Sequence, residues 1–299
     1  MIMRFLHLCF LFIIVNYLTA QTVPIQDSIF LDALIEQGVD ENMDGLIQVT
    51  EAEKVEELEI YNSGISDLTG LSSFIKLENL VILYTSYESY NFPKLDSLRR
   101  LQFGNNENLE FVGIDSLENL EKLLIIGNNI RNLSYGNSPR LRLIDASWNP
   151  IESLDLDSLP SLNSLYLNNC NLNSDILPFI PDIRKVFLED NSFVSLNIAS
   201  MDSLKYLGLG ENEMLEVLDI SNCSSLNELY LSRCSFDEFP SIRNCDNLIY
   251  INISNNPLVT LEPKNVENLR RLVARNCKIE SLNLEFVPNL TSLQLSGNP

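Results

Sequence analysis

The segment Asp40–Glu51, DENMDGLIQVTE, carries oxygen-bearing side chains at the spacing D-x-[DN]-x-[DN]-G-x5-E, which is the pattern of a calcium loop. Asp40, Asn42 and Asp44 alternate around a tight turn, Gly45 permits the sharp bend, and Glu51 closes the sphere with both carboxylate oxygens. Leu46 adds its main-chain carbonyl, and Gln48 a direct or water-bridged ligand. The expected cofactor is therefore calcium, one ion held by Asp40, Asn42, Asp44, Leu46, Gln48 and Glu51. A single loop without a pairing partner falls in the weak class, with affinity on the order of 10⁻⁴ to 10⁻³ M, which extracellular calcium still fills. Without metal, the same loop shape would serve as a lid, with Ile47 turned toward the core.

No other cluster of reactive residues competes with this loop. The one histidine, His7, precedes residue 21, so the chain after it has no imidazole for catalysis or metal binding. Cys9 also lies in that leader, and the five remaining cysteines are an odd number spread thinly, which argues against a disulfide framework. Cys223 and Cys245 each stand three residues before a repeat start. Stacked ~4.8 Å apart they make a bond conceivable but strained.

The loop needs elements to hold it. Asp27 is placed to cap a helix with Ile29, Phe30, Ala33 and Leu34 on one face, and Gly38 to end it. Thr50 and Glu53 offer a capping box for an exit helix. Upstream, Arg4, the apolar run Cys9–Val15 and the Leu18–Ala20 boundary predict a signal peptide over residues 1–20. That run is too short to span a bilayer, and no later stretch holds the ~20 apolar residues a span requires. Three parts follow: leader 1–20, cap 21–54 and repeats 55–299.

The repeats begin at Val55, Leu77, Leu98, Leu120, Leu141, Leu162, Ile183, Leu204, Leu226, Leu248, Leu269 and Leu290. Each fits L-x-x-L-x-L-x-x-N-x-L, best seen in LEKLLIIGNNI, residues 120–130. This is the signature of a leucine-rich repeat. Asn stands at position 9 in Asn106, Asn128, Asn149, Asn191, Asn212, Asn256 and Asn298, where an inward amide can pair main-chain groups. Ser63, Thr85, Cys170, Cys234 and Cys277 take the other five places. About ten residues remain for each return, too few for a full helix with turns, so the convex side should hold turns, extended pieces or 3₁₀ segments.

On these residues the chain resembles the leucine-rich-repeat superfamily and, most closely, the internalin-like class of secreted bacterial surface proteins. The resemblance implies an α/β-type solenoid, a horseshoe with a parallel concave sheet and a helix-poor convex side. It also implies an EF-hand-like helical cap at residues 27–54. The chain stops at Pro299 within its twelfth repeat, where a solenoid exposes its core, so a following domain or a partner is expected to cover that end.

Function then rests on the concave face. Positions 4 and 6 point inward and 3, 5 and 7 outward. The outward set is aromatic in mid-chain, with Tyr166, Phe187, Tyr206, Tyr230 and Tyr250, and Trp148 at position 8. Val81, Leu83, Tyr84, Leu124 and Ile126 form a more aliphatic patch upstream, and Gly208 with Gly210 predicts a notch between Phe187 and Tyr230. Aromatic anchors dominate protein interfaces. The expected partner is a protein or glycan captured there by a secreted or cell-surface adhesion or recognition protein. A formal charge of −21 excludes nucleic acid as a natural partner. The alternatives are the targeting module of a secreted enzyme whose catalytic domain lies beyond residue 299, or a self-assembling surface protein.

Overall fold

The computed structural model describes residues 21–61, 64–133, 135, 138–156, 159–173, 180 and 182–299. The expected signal peptide and Ser63 lie outside them. Twelve short strands, one per repeat from Glu57–Tyr61 to Ser292–Gln294, form one parallel sheet in sequence order. Each residue pairs with its equivalent in the next repeat, as Tyr166 does with Phe187 and Phe187 with Gly208. One-to-one register holds across repeats of 21 and 22 residues, the extra residue being taken up in the return, because a one-residue slip would turn every core side chain to the other face.

Positions 4 and 6 are buried throughout the middle of the sheet, from Leu58 and Ile60 to Leu272 and Ala274. The core is a single cluster continuous from Phe30 in the cap to Val287. Return segments hold short paired strands such as Ser195–Asn197 with Val217–Asp219 and, among the described residues, one 3₁₀ turn, Leu71–Ser73. The helix-poor convex side follows from the length of the return.

The position-9 ladder holds the repeats together. Asn191 Nδ2 donates to Leu167 O at 2.8 Å in the preceding repeat and to Leu188 O at 2.9 Å in its own. Its Oδ1 accepts from Cys170 N and Leu172 N, each at 3.0 Å. Asn149, Asn212, Asn256 and Asn298 repeat the two donations. Where cysteine replaces asparagine it keeps one of them: Cys170 Sγ reaches Ala146 O at 3.3 Å and Cys234 Sγ reaches Leu209 O at 3.3 Å.

Cys223 and Cys245 form no bond with each other; both are buried free thiols. Each donates to a carbonyl one repeat earlier, Ile198 O at 3.4 Å and Ile220 O at 3.2 Å, so the strained disulfide is replaced by a second thiol ladder on the return side. Burial pushes the thiols up from 9.0 to about 11 in Cys170 and Cys223 and about 12 in Cys234 and Cys245. A thiol whose value is raised by folding stabilises the fold fully below its unfolded value and loses that contribution as pH climbs toward the folded one. The melting temperature should therefore fall between about pH 9 and 11, and a thiol reagent at pH 8 should label these four cysteines and Cys277 only after denaturation. Rapid labelling of the native chain would refute the ladder.

Candidate functional site

The residues before the first repeat form two short helices joined by a tight loop. Helix α1, Ser28–Glu36, starts at Asp27, whose Oδ1 accepts from Ile29 N at 2.8 Å and Phe30 N at 3.0 Å. Asp27 Oδ2 also accepts from Ser66 N and Asp67 N, which ties the cap to the first repeat. Gly38 and Gly45 take the left-handed conformation their places require, at φ 77° and 80°. Ile47 is buried, and its carbonyl accepts from Val23 N at 2.7 Å.

The exit helix begins earlier than expected. Helix α2 covers Val49–Ala52, and Glu51 rather than Glu53 completes the cap, its Oε2 accepting from Gln48 N at 2.9 Å. Glu51 Oε1 accepts from Glu41 N and Asn42 N at 3.0 and 3.2 Å, so both oxygens gather main-chain amides. Asp40 accepts from Asp44 N and Gly45 N at 3.2 and 2.9 Å. Asn42 Nδ2 donates to Gln48 Oε1 at 2.8 Å, and Gln48 Nε2 donates to Asp44 Oδ2 at 2.9 Å. That last bond is the main reason the Asp44 carboxyl is held below its usual value. The donors are hard oxygens, as a calcium site needs, but here they close on one another. No three acidic or thiol groups among the described residues converge as a metal cluster.

On the concave face the sheet brings the mid-chain aromatics into one ribbon. Tyr166 and Phe187 stack with ring centroids 5.1 Å apart and planes 1° from parallel. Lys185 Nζ lies 5.3 Å from the centre of the Tyr206 ring. Tyr230 and Tyr250 lie 5.2 Å apart, and the Arg271 guanidinium sits 5.3 Å from the Tyr250 centre. The Tyr230 hydroxyl donates to Glu228, and burial together with that carboxylate pushes its pKa well up. All five rings are half-buried.

Three expectations change. Leu83, predicted to line the face, is only 8% exposed, in register between Tyr61 and Gly104 of the neighbouring strands. Leu124 and Ile126 are half-buried rather than open. The notch at Gly208 is filled: a Cβ there would stand 2.5 Å from Phe187 Cδ1, so the missing side chain gives room to the ring of the neighbouring strand.

Position 8 is left-handed in every described repeat. Asn105, Asn169, Asn255 and Asn276 have φ between 51° and 60°, and Gly127 and Gly297 are at 69° and 79°. Asparagine and glycine tolerate this region and bulky side chains do not. Glu211 and Arg233 depart from the rule but pair with each other at 2.8 and 3.0 Å. Tyr84 and Trp148, at φ 64° and 62°, stand 51% and 59% exposed. These two residues strain the backbone while leaving most of their apolar surface in water. Sequence reading placed both at the face, Trp148 beside the aromatic set and Tyr84 within the upstream aliphatic patch. The conspicuous signal for both was an aromatic residue in a column of Asn and Gly.

The repeat, the asparagine ladder and the parallel concave sheet define a leucine-rich-repeat horseshoe. A family profile described as Leucine Rich Repeat matches residues 247–269. The chain is 28% identical to human Toll-like receptor 8 over 184 residues, 57% of this chain and 17% of the receptor. It is 30% identical to the Arabidopsis thaliana protein SUPPRESSOR OF npr1-1, CONSTITUTIVE 1 over 229 residues, 73% of this chain and 14% of that one. The chain thus spans less than a fifth of either relative.

Among solved structures, the functional domain of InlJ from Listeria monocytogenes, which includes a cysteine ladder, superposes with a TM-score of 0.57. It has 19% identity over 94% of this chain and 73% of that one. Toll, in its Drosophila complex with Spatzle, gives a TM-score of 0.66 at 18% identity over 81% of this chain and 36% of that one. These are likenesses of fold. The thiols of the repeats are buried with raised pKa values, the opposite of an activated nucleophile. No helix among the described residues is long and apolar enough to cross a membrane.

Proposed function

We propose that this chain is a secreted or cell-surface recognition protein of the internalin-like kind, which captures a protein ligand on its concave sheet. The observation that supports this most directly is the aromatic ribbon from Tyr166 to Tyr250, held in register with Lys185 and Arg271 packed on its rings. Aromatic and Arg side chains fixed in a rigid surface lose little entropy on binding, which is what makes such residues anchors. A glycan is the other ligand class the face allows. Replacing Phe187, Tyr206 and Tyr230 together by alanine should abolish capture of ligands from the native environment while leaving the melting temperature within a few degrees. Undiminished capture would sink the proposal.

Calcium is proposed as the ligand of the cap, held by Asp40, Asn42, Asp44, Gln48, Glu51 and the Leu46 carbonyl. Binding must exchange the Asn42–Gln48–Asp44 hydrogen bonds for metal bonds and free Glu51 from its amides, which keeps the affinity weak. At a Kd of ~0.5 mM, 5 mM calcium adds about 1.4 kcal/mol of stability. The expected result is a melting temperature raised by a few degrees, restored by chelator and absent in Asp44→Ala. No shift, with no heat by calorimetry, would leave the loop a metal-free lid.

A further inference from the structure

The concave face is polarised across the strands. At the strand starts, Glu78, Arg99, Glu121 and Arg142 alternate down the column with contacts of 3.9, 3.3 and 3.9 Å. Beyond Arg142 the alternation stops. Asn163, Arg184 and Lys205 follow in the same column, with Lys185 beside them, and none of these three cations forms an ion pair among the described residues. Arg142 and Arg184 border one recess of about 260 Å³ with Ser161, Asn163 and Ser203, and Asp182 is the single acid on its wall. At the strand ends of the same repeats stand Glu189, Asp190 and Glu211. Burial, with Glu211 nearby, raises the Glu189 carboxyl above its usual value.

We infer that the ligand is an acidic polypeptide segment whose carboxylates enter the recess between Arg142 and Arg184 while its apolar side chains lie on the ribbon. This rests on the recognition reading above and names the chemistry of its partner. Arg184, Lys185 and Lys205, unpaired among the described residues and next to Arg142, are a local reversal of the field in a chain of net charge −21, and they lie beside the aromatic ribbon. A sugar would need free ring faces for stacking, and several faces of the ribbon are already engaged. Tyr166 and Phe187 face each other, Phe187 also leans over Gly208, and cations cover Tyr206 and Tyr250.

The test uses the full chain and two labelled probes, polyglutamate and polygalacturonate, followed by anisotropy at low and high salt. Polyglutamate should bind saturably at low salt and weaken as salt rises. Arg142→Glu with Arg184→Glu should reduce its affinity at least tenfold, Arg142→Gln with Arg184→Gln by less, and Lys278→Glu, on a distant exposed site, not at all. Absence of polyglutamate binding, indifference to both double variants, or preference for polygalacturonate overturns the inference. The ribbon variant separates the two readings. Loss of native capture in the ribbon variant, with Arg142 and Arg184 variants that bind normally, leaves recognition standing and removes only the acidic partner.

Discussion

Replacing Asn212 by alanine is expected to destabilise the solenoid by about 4 kcal/mol, the cost of leaving two or three buried polar groups without partners at ~1–3 kcal/mol each. Asn212 is fully buried, and its Nδ2 donates to Leu188 O at 2.9 Å and Leu209 O at 2.8 Å. Its Oδ1 accepts from Phe193 N at 3.4 Å, so one side chain serves two repeats and the chain leaving them. At roughly 2–4 °C per kcal/mol for a chain of this size, the melting temperature should drop by about 10 °C. Asn212→Cys separates hydrogen bonding from packing. The cysteines at equivalent places keep the donation to the preceding repeat, as Cys234 Sγ does to Leu209 O at 3.3 Å, so this variant should lose about half as much. Equal losses in both variants would show that volume, not the ladder, sets the stability of the position.

Most of that ladder was legible in the sequence, because a solenoid repeats its physics. An asparagine every 21 or 22 residues after two inward apolar positions has one good use, which is to pair main-chain groups where the chain turns in. The cysteine substitutions were legible for the same reason. What sequence could not give was the outcome of lateral packing between neighbouring repeats. Whether Leu83 is open or covered, and whether Gly208 leaves a hole or makes room for Phe187, depends on how side chains one strand apart lean, and a single repeat holds no information about that lean. The cap shows a related limit. The loop pattern located Asp40, Asn42, Asp44 and Glu51, but an oxygen that can ligate a metal can equally accept from an amide. The pattern is silent on which use Glu51 makes of its carboxylate.

The charge polarity of the face was missed although every residue of it was visible. Arg142, Arg184 and Lys205 occupy position 2, where alternation with glutamate upstream reads as ordinary surface pairing. Only the stacked register shows that the acids run out at Glu121 while the cations continue, on the same side of the ribbon as Lys185. A net acidic composition points away from such a patch, because the sum over a whole chain hides the sign of one lip.

Trp148 carries the second large prediction. Substitution by asparagine should weaken ligand capture about 30-fold, the ~2 kcal/mol of an aromatic anchor, while stability changes by no more than about 1 kcal/mol. The two stability terms oppose each other. Asparagine relieves a left-handed backbone that costs a bulky residue ~1–2 kcal/mol, and the indole gives up contacts over the minor part of its surface that is covered, since 59% of it is exposed. A residue kept for packing would show the reverse, a large loss of stability and an incidental effect on capture. As Trp148 is the only tryptophan, its fluorescence reports the same event directly. Emission should begin near that of indole in water and shift to the blue on saturation with ligand, with no shift in a variant whose ribbon has lost Phe187, Tyr206 and Tyr230. Tyr84, three strands away at ~14 Å and strained in the same way, extends the argument. Tyr84→Asn should also leave stability nearly unchanged, and a further loss of capture in the double variant would place both rings against one partner surface. Full capture by the double variant would mean that the strain at this lip is tolerated rather than used.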